Sequence, residues 1–175
     1  MPKRFEKSMI QIRPMREDDL AAVRAIYAHY VQHTVVTFDT AVPSAEEMRR
    51  LLLPVIESQP AFVCLKDEVL VGYAYVHPWK TKEAYRLTVE TTIYLHPDHT
   101  RHGYGRALME RLIGACRERG YHVLVACITV PNEASVALHR ALGFSRTSHF
   151  SEVGRKFGRW LDVEDLTLQL TGEEG

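Results

Sequence analysis

The residues best suited to chemistry lie in one segment, ETTIYLHPDHTRHGYGRALMERL, from Glu90 to Leu112. Gly103 and Gly105 let the backbone approach a ligand closely, and the helix predicted behind them presents free N–H groups and a positive dipole end. Arg101 and Arg106 flank the turn and add charge-assisted donors. These features predict a phosphate-binding turn. A glycine-rich turn with solvated arginines is the competing interpretation, and these residues alone favour neither.

Two familiar phosphate motifs do not fit this segment. A dinucleotide-binding G-x-G-x-x-G turn needs a small residue where Leu108 stands. A Walker-type loop needs Gly-Lys-Ser/Thr, which the chain lacks. Ordinary nucleotide-binding folds therefore have little support.

The segment needs a strand before it and a helix after it, and the pattern of apolar residues predicts both. Ser44 and Glu47 have the spacing of a capping box, and Pro54 is expected to kink or interrupt the helix that they begin. Apolar runs predict strands, and apolar residues at helical spacing predict helices. The predicted strands are 10–13, 61–65, 69–76, 87–95 and 123–130, with extended structure from 144 to 170, and the predicted helices are 20–30, 44–56, 103–119 and 132–141.

The order of these elements predicts an α/β (α+β) fold. A strand and two helices come first, a meander of strands follows, and the chain ends in β-loop-α-β-α-β-β, which together indicate a mixed central sheet with helices packed against it. No repeat, low-complexity stretch or Pro/Ser-rich linker interrupts the chain. A single domain over residues 1–175 is expected, with its core at about residues 10–170.

The overall composition restricts the classes of partner. The chain has 175 residues, 46% of them hydrophobic, and 22 Lys and Arg balance 22 Asp and Glu. Zero net charge weighs against a nucleic-acid binder and against a polybasic membrane anchor. The basic start of the chain is followed by no apolar stretch of signal-peptide length, and no apolar run is long enough to span a membrane. We expect no nucleic-acid or membrane partner.

The cysteines indicate the cellular compartment. Cys64, Cys116 and Cys127 are odd in number, far apart and embedded in apolar runs. They predict buried free thiols, because a secreted domain tends to pair its cysteines. The expected location is therefore the cytoplasm.

Several stretches resemble one enzyme family. Thr100 to Gly105 is similar to the Q/R-x-x-G-x-G/A signature of the GNAT N-acetyltransferase superfamily, and Asn132 to Phe144 (NEASVALHRALGF) is similar to its second signature. Within the superfamily, Trp79 to His99 and Lys156 to Val163 resemble the phosphinothricin N-acetyltransferases and the methionine sulfoximine/methionine sulfone acetyltransferases. The resemblance implies the GNAT fold, a mixed central sheet of about seven strands flanked by about four helices.

The resemblance also implies transfer of acetyl from acetyl-CoA to the α-amine of a small amino-acid-like substrate. Thr100 departs from the signature, which has Gln or Arg there, and His139 stands where many members have a tyrosine proposed as the acid for the leaving thiolate. A side-chain contact from residue 100 to phosphate would be lost or taken over by Arg101. The residues implied to hold acetyl-CoA are Ile93, Tyr94, Leu95, Arg101, His102, Gly103, Tyr104, Gly105, Arg106, Asn132 and His139.

Acetyl transfer needs a neutral amine, so a base must take its proton. Glu90 matches the general base proposed for the family, and partial burial in an apolar strand should raise its pKa. A solvent-facing or salt-bridged Glu90 is the alternative on the residues alone. A backbone N–H near Tyr94 is the candidate donor to the oxyanion that develops on the thioester.

The candidate substrate contacts lie in two loops. A small zwitterion needs a cation for its carboxylate, and aromatic side chains suit the rest of such a ligand. Each residue could instead be a solvated charge or a surface aromatic. The candidates are Trp79, Lys80, Tyr85 and Arg86 between two strands, and Thr37 and Phe38 after the first helix.

Three histidines in one loop first suggest a metal site. His96, His99 and His102 have no nearby cysteine, a proline separates the first two, and the chemistry proposed needs no Lewis acid. No functional metal is expected.

Alternatives to the leading function remain open. The same scaffold could acetylate another small amine or a peptide N-terminus, or it could be a non-catalytic acyl-CoA-binding module. Relatives of this kind are usually homodimers, and Trp160 is expected to be a core or dimer-interface residue.

Overall fold

The computed structural model describes residues 10–170; residues 1–9, which hold the basic start of the chain, and residues 171–175 lie outside the described part. The described strands form one sheet in the order β1-β2-β3-β4-β5-β7-β6, in which only β4 and β5 run parallel. These strands are β1 (Ile10–Pro14), β2 (Ala61–Lys66), β3 (Val69–Pro78), β4 (Thr88–Leu95), β5 (Val123–Val130), β6 (Ser145–Lys156) and β7 (Arg159–Gln169).

Helices cover both faces of this sheet. One core cluster joins α1 and α2 to β2 and β3, and a second joins α3 to the central strands and β7. The helices are α1 (Leu20–His33), α2 (Ala45–Ser58), α3 (Tyr104–Glu118) and α4 (Glu133–Ala141). The expected mixed sheet of seven strands with four helices is confirmed. None of the helices within residues 10–170 is long and apolar enough to cross a membrane.

The second helix begins as its sequence predicts but is not interrupted. Glu47 N–H donates to Ser44 Oγ at 3.1 Å, and Ser44 N–H donates to Glu47 Oε2 at 2.7 Å, which completes the capping box. Pro54 lies inside α2, which continues to Ser58. Leu52 and Val55 are buried on either side of the proline, so core packing offsets the backbone hydrogen bond that Pro54 cannot make.

One burial prediction was wrong. Cys64 and Cys116 are buried free thiols as expected, but Cys127 is exposed. Cys127 lies on β5, and the α1–α2 core cluster on that face of the sheet extends only as far as Tyr94 of β4. Trp160 is 59% exposed on the β6–β7 hairpin, so of the two roles predicted for it the core is excluded and the dimer interface stays a prediction.

Candidate active site

A cleft opens where the two parallel central strands part. The β4–β5 ladder pairs Thr88 with Val123, Val89 with Leu124 and Glu90 with Val125, and it ends there although both strands continue. A cavity of about 630 Å³ lies between the diverging ends. Its wall contains many of the predicted site residues: Glu90, Ile93, Tyr94, Leu95, Arg101, Gly103, Gly105, Arg106, Asn132 and His139.

The register of β4 decides which backbone groups face this cleft. His96 N–H donates to Val71 O at 2.8 Å. Tyr94, two residues before His96, is register-paired with Tyr73 of β3. Hydrogen-bonding direction alternates along a strand, so the Tyr94 backbone points to β3 whereas the N–H and C=O groups of Ile93 and Leu95 point to the cleft. The Tyr94 backbone is therefore engaged with β3, and the neighbouring N–H groups that face the cleft are those of Ile93 and Leu95.

The glycine turn leads directly into α3. Gly103 has a left-handed φ of 81° and is the N-cap residue, and Arg101 also has a positive φ of 62°. Ala107 N–H donates to Gly103 O, which leaves the N–H groups of the first turn without intrahelical partners. A Cβ on Gly105 would lie 3.3 Å from Leu95 Cδ1, so α3 packs tightly against β4 at this point. The turn offers an anion several aligned N–H donors.

Three titratable groups surround the Glu90 carboxyl from neighbouring strands. His77 Nε2 on β3 lies 3.9 Å from Glu90 Oε1, and Asp165 and Cys127 lie on β7 and β5 of the same sheet face. Burial raises the pKa of Glu90; the His77 imidazole opposes that rise, and Asp165 adds to it. The predicted direction of the shift is confirmed. A carboxylate with a raised pKa is a better proton acceptor near neutral pH.

His139 lies in the cavity wall as a neutral base. It is 3% exposed, burial lowers its pKa, and its ring packs edge-on against Phe144 with centroids 5.0 Å apart. Nδ1 donates to Ser135 O at 2.8 Å, so Nε2 of the neutral ring carries a lone pair rather than a proton. This protonation state suits a hydrogen-bond acceptor better than an acid. Asn132 caps the same helix by accepting from Ser135 N–H at 3.2 Å.

A cluster of tyrosines forms the other side of the cleft. The Tyr94 ring lies 5.3 Å from Tyr27, 5.0 Å from Tyr30 and 5.7 Å from Tyr73. Burial raises the pKa of the Tyr94 phenol, so it stays protonated at neutral pH. Tyr30 OH donates to Leu95 O at 2.5 Å and thereby fixes the end of β4 to α1.

The predicted substrate residues in the two loops lie outside the cavity wall. Trp79 and Tyr85 contact each other edge to face, and Lys80 Nζ lies 4.1 Å from the Trp79 ring centre. Arg86 Nε lies 3.7 Å from the exposed Glu83 carboxylate. Thr37 and Phe38 directly follow Val36, which does line the cavity. His102 and Tyr104 also lie outside the wall, where their rings stack with centroids 5.5 Å apart.

Comparison with known proteins agrees with this geometry. Residues 12–164 match the family described as an acetyltransferase (GNAT) domain. The chain belongs to the GNAT acetyltransferase family. An L-amino acid N-acyltransferase of Escherichia coli K12, MnaT, is 40% identical over 162 residues, which are 92% of this chain and 94% of the relative.

Two further relatives of this GNAT chain have names that state a substrate. An L-methionine sulfoximine/L-methionine sulfone acetyltransferase of Salmonella typhimurium LT2 is 39% identical over 91% of this chain and 94% of its own length. A structure of a GNAT phosphinothricin acetyltransferase from Sinorhizobium meliloti in complex with acetyl-CoA has a TM-score of 0.89 and 34% identity, over 92% of this chain and 88% of that chain.

The GNAT cleft of this chain fits acetyl-CoA on its own geometry. Backbone N–H and C=O of Ile93 and the N–H of Leu95 face the gap beyond the end of the β4–β5 ladder, where an extended amide chain could add like a strand. The N–H groups before α3 and the exposed Arg101 suit a pyrophosphate. Arg106 is already paired with Glu110 at 2.8 Å, so its guanidinium is shared between that carboxylate and the cavity.

Two residues of the GNAT site were missed from the sequence. Cys127 lines the cavity, and although its side chain is solvent-accessible there, partial desolvation by the cleft walls raises the pKa of its thiol to about 12, with Asp165 and Glu90 adding to the rise. Asp165 is register-paired with Cys127. The signal for Cys127 was the alternation of residues along the strand. Val125, Cys127 and Thr129 share one face, so that face carries polar side chains within an apolar run.

The three loop histidines do not converge in this GNAT domain. His96 and His99 rings are 5.4 Å apart, whereas His102 turns away to stack on Tyr104. Within residues 10–170, no group of three or more His, Cys, Asp or Glu side chains is arranged to hold a metal ion.

Proposed function

We propose that this chain transfers acetyl from acetyl-CoA to the α-amine of phosphinothricin-like amino acids, namely L-methionine sulfoximine, L-methionine sulfone and L-phosphinothricin. The observation that carries the proposal is Glu90, a carboxyl of raised pKa at the point where β4 and β5 part, in one cavity wall with the glycine turn. Relatives named for these substrates, each 39% identical across most of the chain, support the acceptor class.

The proposed cofactor site follows the cleft. Acetyl-CoA supplies an activated thioester when bound. Backbone groups of Ile93 and Leu95 hold the pantetheine arm, and Asn132 with His139 contacts it near its thiol end. The turn Arg101–Arg106, with the N–H groups of His102, Gly103, Tyr104 and Gly105, holds the pyrophosphate.

Glu90 acts as the general base in this proposal. Its carboxylate takes the proton of the acceptor ammonium, directly or through one water, and leaves a lone pair on nitrogen for attack. The N–H of Ile93 or Leu95 stabilises the negative charge that develops on the thioester oxygen. The protonated phenol of Tyr94 lies on the acceptor side of the same strand and contributes a donor there.

The 79–86 loop is proposed to hold the acceptor carboxylate through Lys80 and Arg86. The position of the loop in the sheet supports this role. Glu90 is register-paired with His77, and the loop begins two residues after His77. Trp79 and Tyr85 provide the aromatic surface beside these cations. Thr37 and Phe38 are proposed to border the acceptor from the α1 side, next to the cavity-lining Val36.

A thiol-release assay with acetyl-CoA tests the substrate class. The acceptor panel contains the three proposed substrates, ordinary amino acids, polyamines and a peptide with a free N-terminus. We expect the highest kcat/KM with the sulfone, sulfoximine and phosphinothricin. Preference for a polyamine or the peptide would establish an acetyltransferase of different specificity, and tight acetyl-CoA binding without release in any reaction would establish a binding module.

The wider assignment rests on the same features. We propose one N-acetyltransferase domain, located in the cytoplasm, where the free thiols of Cys64, Cys116 and Cys127 would stay reduced. We also propose a homodimer. Four large apolar side chains are exposed along the β6–β7 hairpin, which favours an interaction surface over a purely solvated one: Phe150, Val153, Phe157 and Trp160.

A further inference from the structure

Lys156 is a lysine almost without solvent contact and outside the chemistry described above. It ends β6, is 3% exposed, and donates from Nζ to Thr37 O at 2.8 Å. Burial lowers the pKa of its ammonium, and Asp39 acts in the opposite direction. Covering a lysine so completely is costly unless its charge is used. Its partner is a backbone carbonyl 119 residues away in sequence.

The partner carbonyl belongs to the α1–α2 loop, residues 34–44. Within this loop, Val36 lines the cleft and Thr37 is buried. Tyr27 OH lies 2.8 Å from Thr37 Oγ1 and donates to Asp39 Oδ2 at 2.5 Å. Tyr27 also packs against Tyr94 of β4. The loop is thus held from α1 on one side and from Lys156 on the other.

A second contact joins the same two segments. Phe38 packs directly on Gly154 of β6, because a Cβ at Gly154 would lie 2.2 Å from Phe38 Cε2. Such a distance is far shorter than van der Waals contact, so a side chain at position 154 would displace the Phe38 ring. Thr37 therefore contacts Lys156 through a hydrogen bond, and Phe38 contacts Gly154 through packing.

We infer that Lys156 and Gly154 are positioning residues for acceptor binding: the β6–β7 hairpin clamps the α1–α2 loop at Thr37 and Phe38 so that Val36 forms one wall of the acceptor side of the cleft. The inference rests on the proposed function, since it assigns the loop to the amino acid rather than to acetyl-CoA. Neither Lys156 nor Gly154 lines the cavity, so the clamp acts on it only through this loop, whose Thr37 also hydrogen-bonds Tyr94 of β4.

Steady-state kinetics of Lys156→Met and Gly154→Ala test the clamp. Lys156→Met should raise KM for the amino acid about tenfold, the size of one lost charge-assisted hydrogen bond, and Gly154→Ala should raise the same KM by displacing the Phe38 ring. In both variants KM for acetyl-CoA should stay within about twofold of wild type. Arg159→Met is the matched control. Arg159 is an exposed cation that lies opposite Lys156 in the β6–β7 register, and its loss should change neither KM.

Hydrogen–deuterium exchange of the same proteins provides a readout that needs no acceptor. Amides 34–40 should exchange faster in both clamp variants, while the first turn of α3 keeps the wild-type rate. Unchanged amino-acid KM in both variants, or an equal rise in both KM values, overturns the inference. If Lys156→Met does not fold, Gly154→Ala decides. Wild-type protein without acetyl transfer to any amine would refute the proposed function instead, and the exchange data would still report on the clamp.

Discussion

The Glu90 carboxyl is subject to opposing influences from its neighbours. Burial and Asp165 favour the protonated acid, while His77 favours the carboxylate. The net effect is a raised pKa. A base must be deprotonated to act, so kcat/KM is expected to fall as the pH drops through the raised pKa of Glu90.

Replacing Glu90 by Gln should lower kcat by about 10²-fold or more and leave acetyl-CoA affinity unchanged, because the amide cannot take a proton. The acidic limb of the pH–rate profile should disappear in the same variant. Glu57→Gln, a change to an exposed carboxyl on α2, serves as the control. An unchanged pH–rate profile in Glu90→Gln would remove Glu90 from the base role.

The raised pKa of Glu90 was predicted from its place in an apolar strand, but its neighbours were not. The role of Glu90 as a base was implied only by the family resemblance and stays a prediction. His77, Cys127 and Asp165 come from three other strands, and only the pairing register brings them to the same face. Local patterns carry no information on such long-range register.

At the scale of elements, the turn before α3 depends on backbone geometry. Gly103→Ala places a Cβ on a residue with φ of 81°, which should cost roughly 1–2 kcal/mol and distort the N–H cradle. We expect a raised KM for acetyl-CoA with an unchanged KM for the amino acid. The control is Gly120→Ala after the same helix, with φ of 76° and equally open surroundings. It should lose similar stability without any change in KM, and a matching KM change there would contradict the cradle.

The β6–β7 hairpin carries a histidine with an acidic partner on each ring nitrogen. His149 Nδ1 lies 3.0 Å from Glu164 Oε1, and Nε2 lies 2.9 Å from Asp162 Oδ2. A neutral imidazole has one N–H, so only the cation donates to both carboxylates. These hydrogen bonds, first to Glu164 and then to Asp162, raise the pKa of His149.

Replacing His149 by Gln should therefore destabilise the protein mainly at low pH. The contribution of a raised pKa is full below the unfolded value and is lost as pH rises through the folded value. Urea unfolding at pH 6 and pH 9 should show a larger loss of unfolding free energy at pH 6. A difference that is equal at both values, or larger at pH 9, would contradict the pairing.

The elements themselves followed from local signals, whereas the cleft did not. Capping at Ser44 and the apolar runs 61–65 and 123–130 predicted a helix start and two strands that the structure contains. The parting of β4 and β5 after Glu90 is a property of two strands 28 or more residues apart, so no window of sequence shows it. The residues alone predicted a phosphate group at the glycine turn, and only the family resemblance predicted acetyl-CoA.

At the scale of the whole molecule, the β6–β7 hairpin exposes large apolar side chains to solvent in the single chain. Phe157 and Trp160 are each 59% exposed. Replacing both by Ser should convert a dimer into a monomer in light scattering after size exclusion, because the apolar surface drives association. Leu51→Ser on α2, also 59% exposed, is the control and should stay dimeric. A wild-type monomer at micromolar concentration would contradict the dimer.

The central claim is that this cleft carries acetyl from acetyl-CoA to an amino-acid nitrogen. The most direct measurement incubates the full chain with acetyl-CoA and L-methionine sulfone, and quantifies free CoA by thiol titration and the N-acetyl product by mass spectrometry. The account predicts equal amounts of both, formed by wild type and strongly reduced with Glu90→Gln. CoA release without an N-acetylated product, or equal rates in the two proteins, would contradict it.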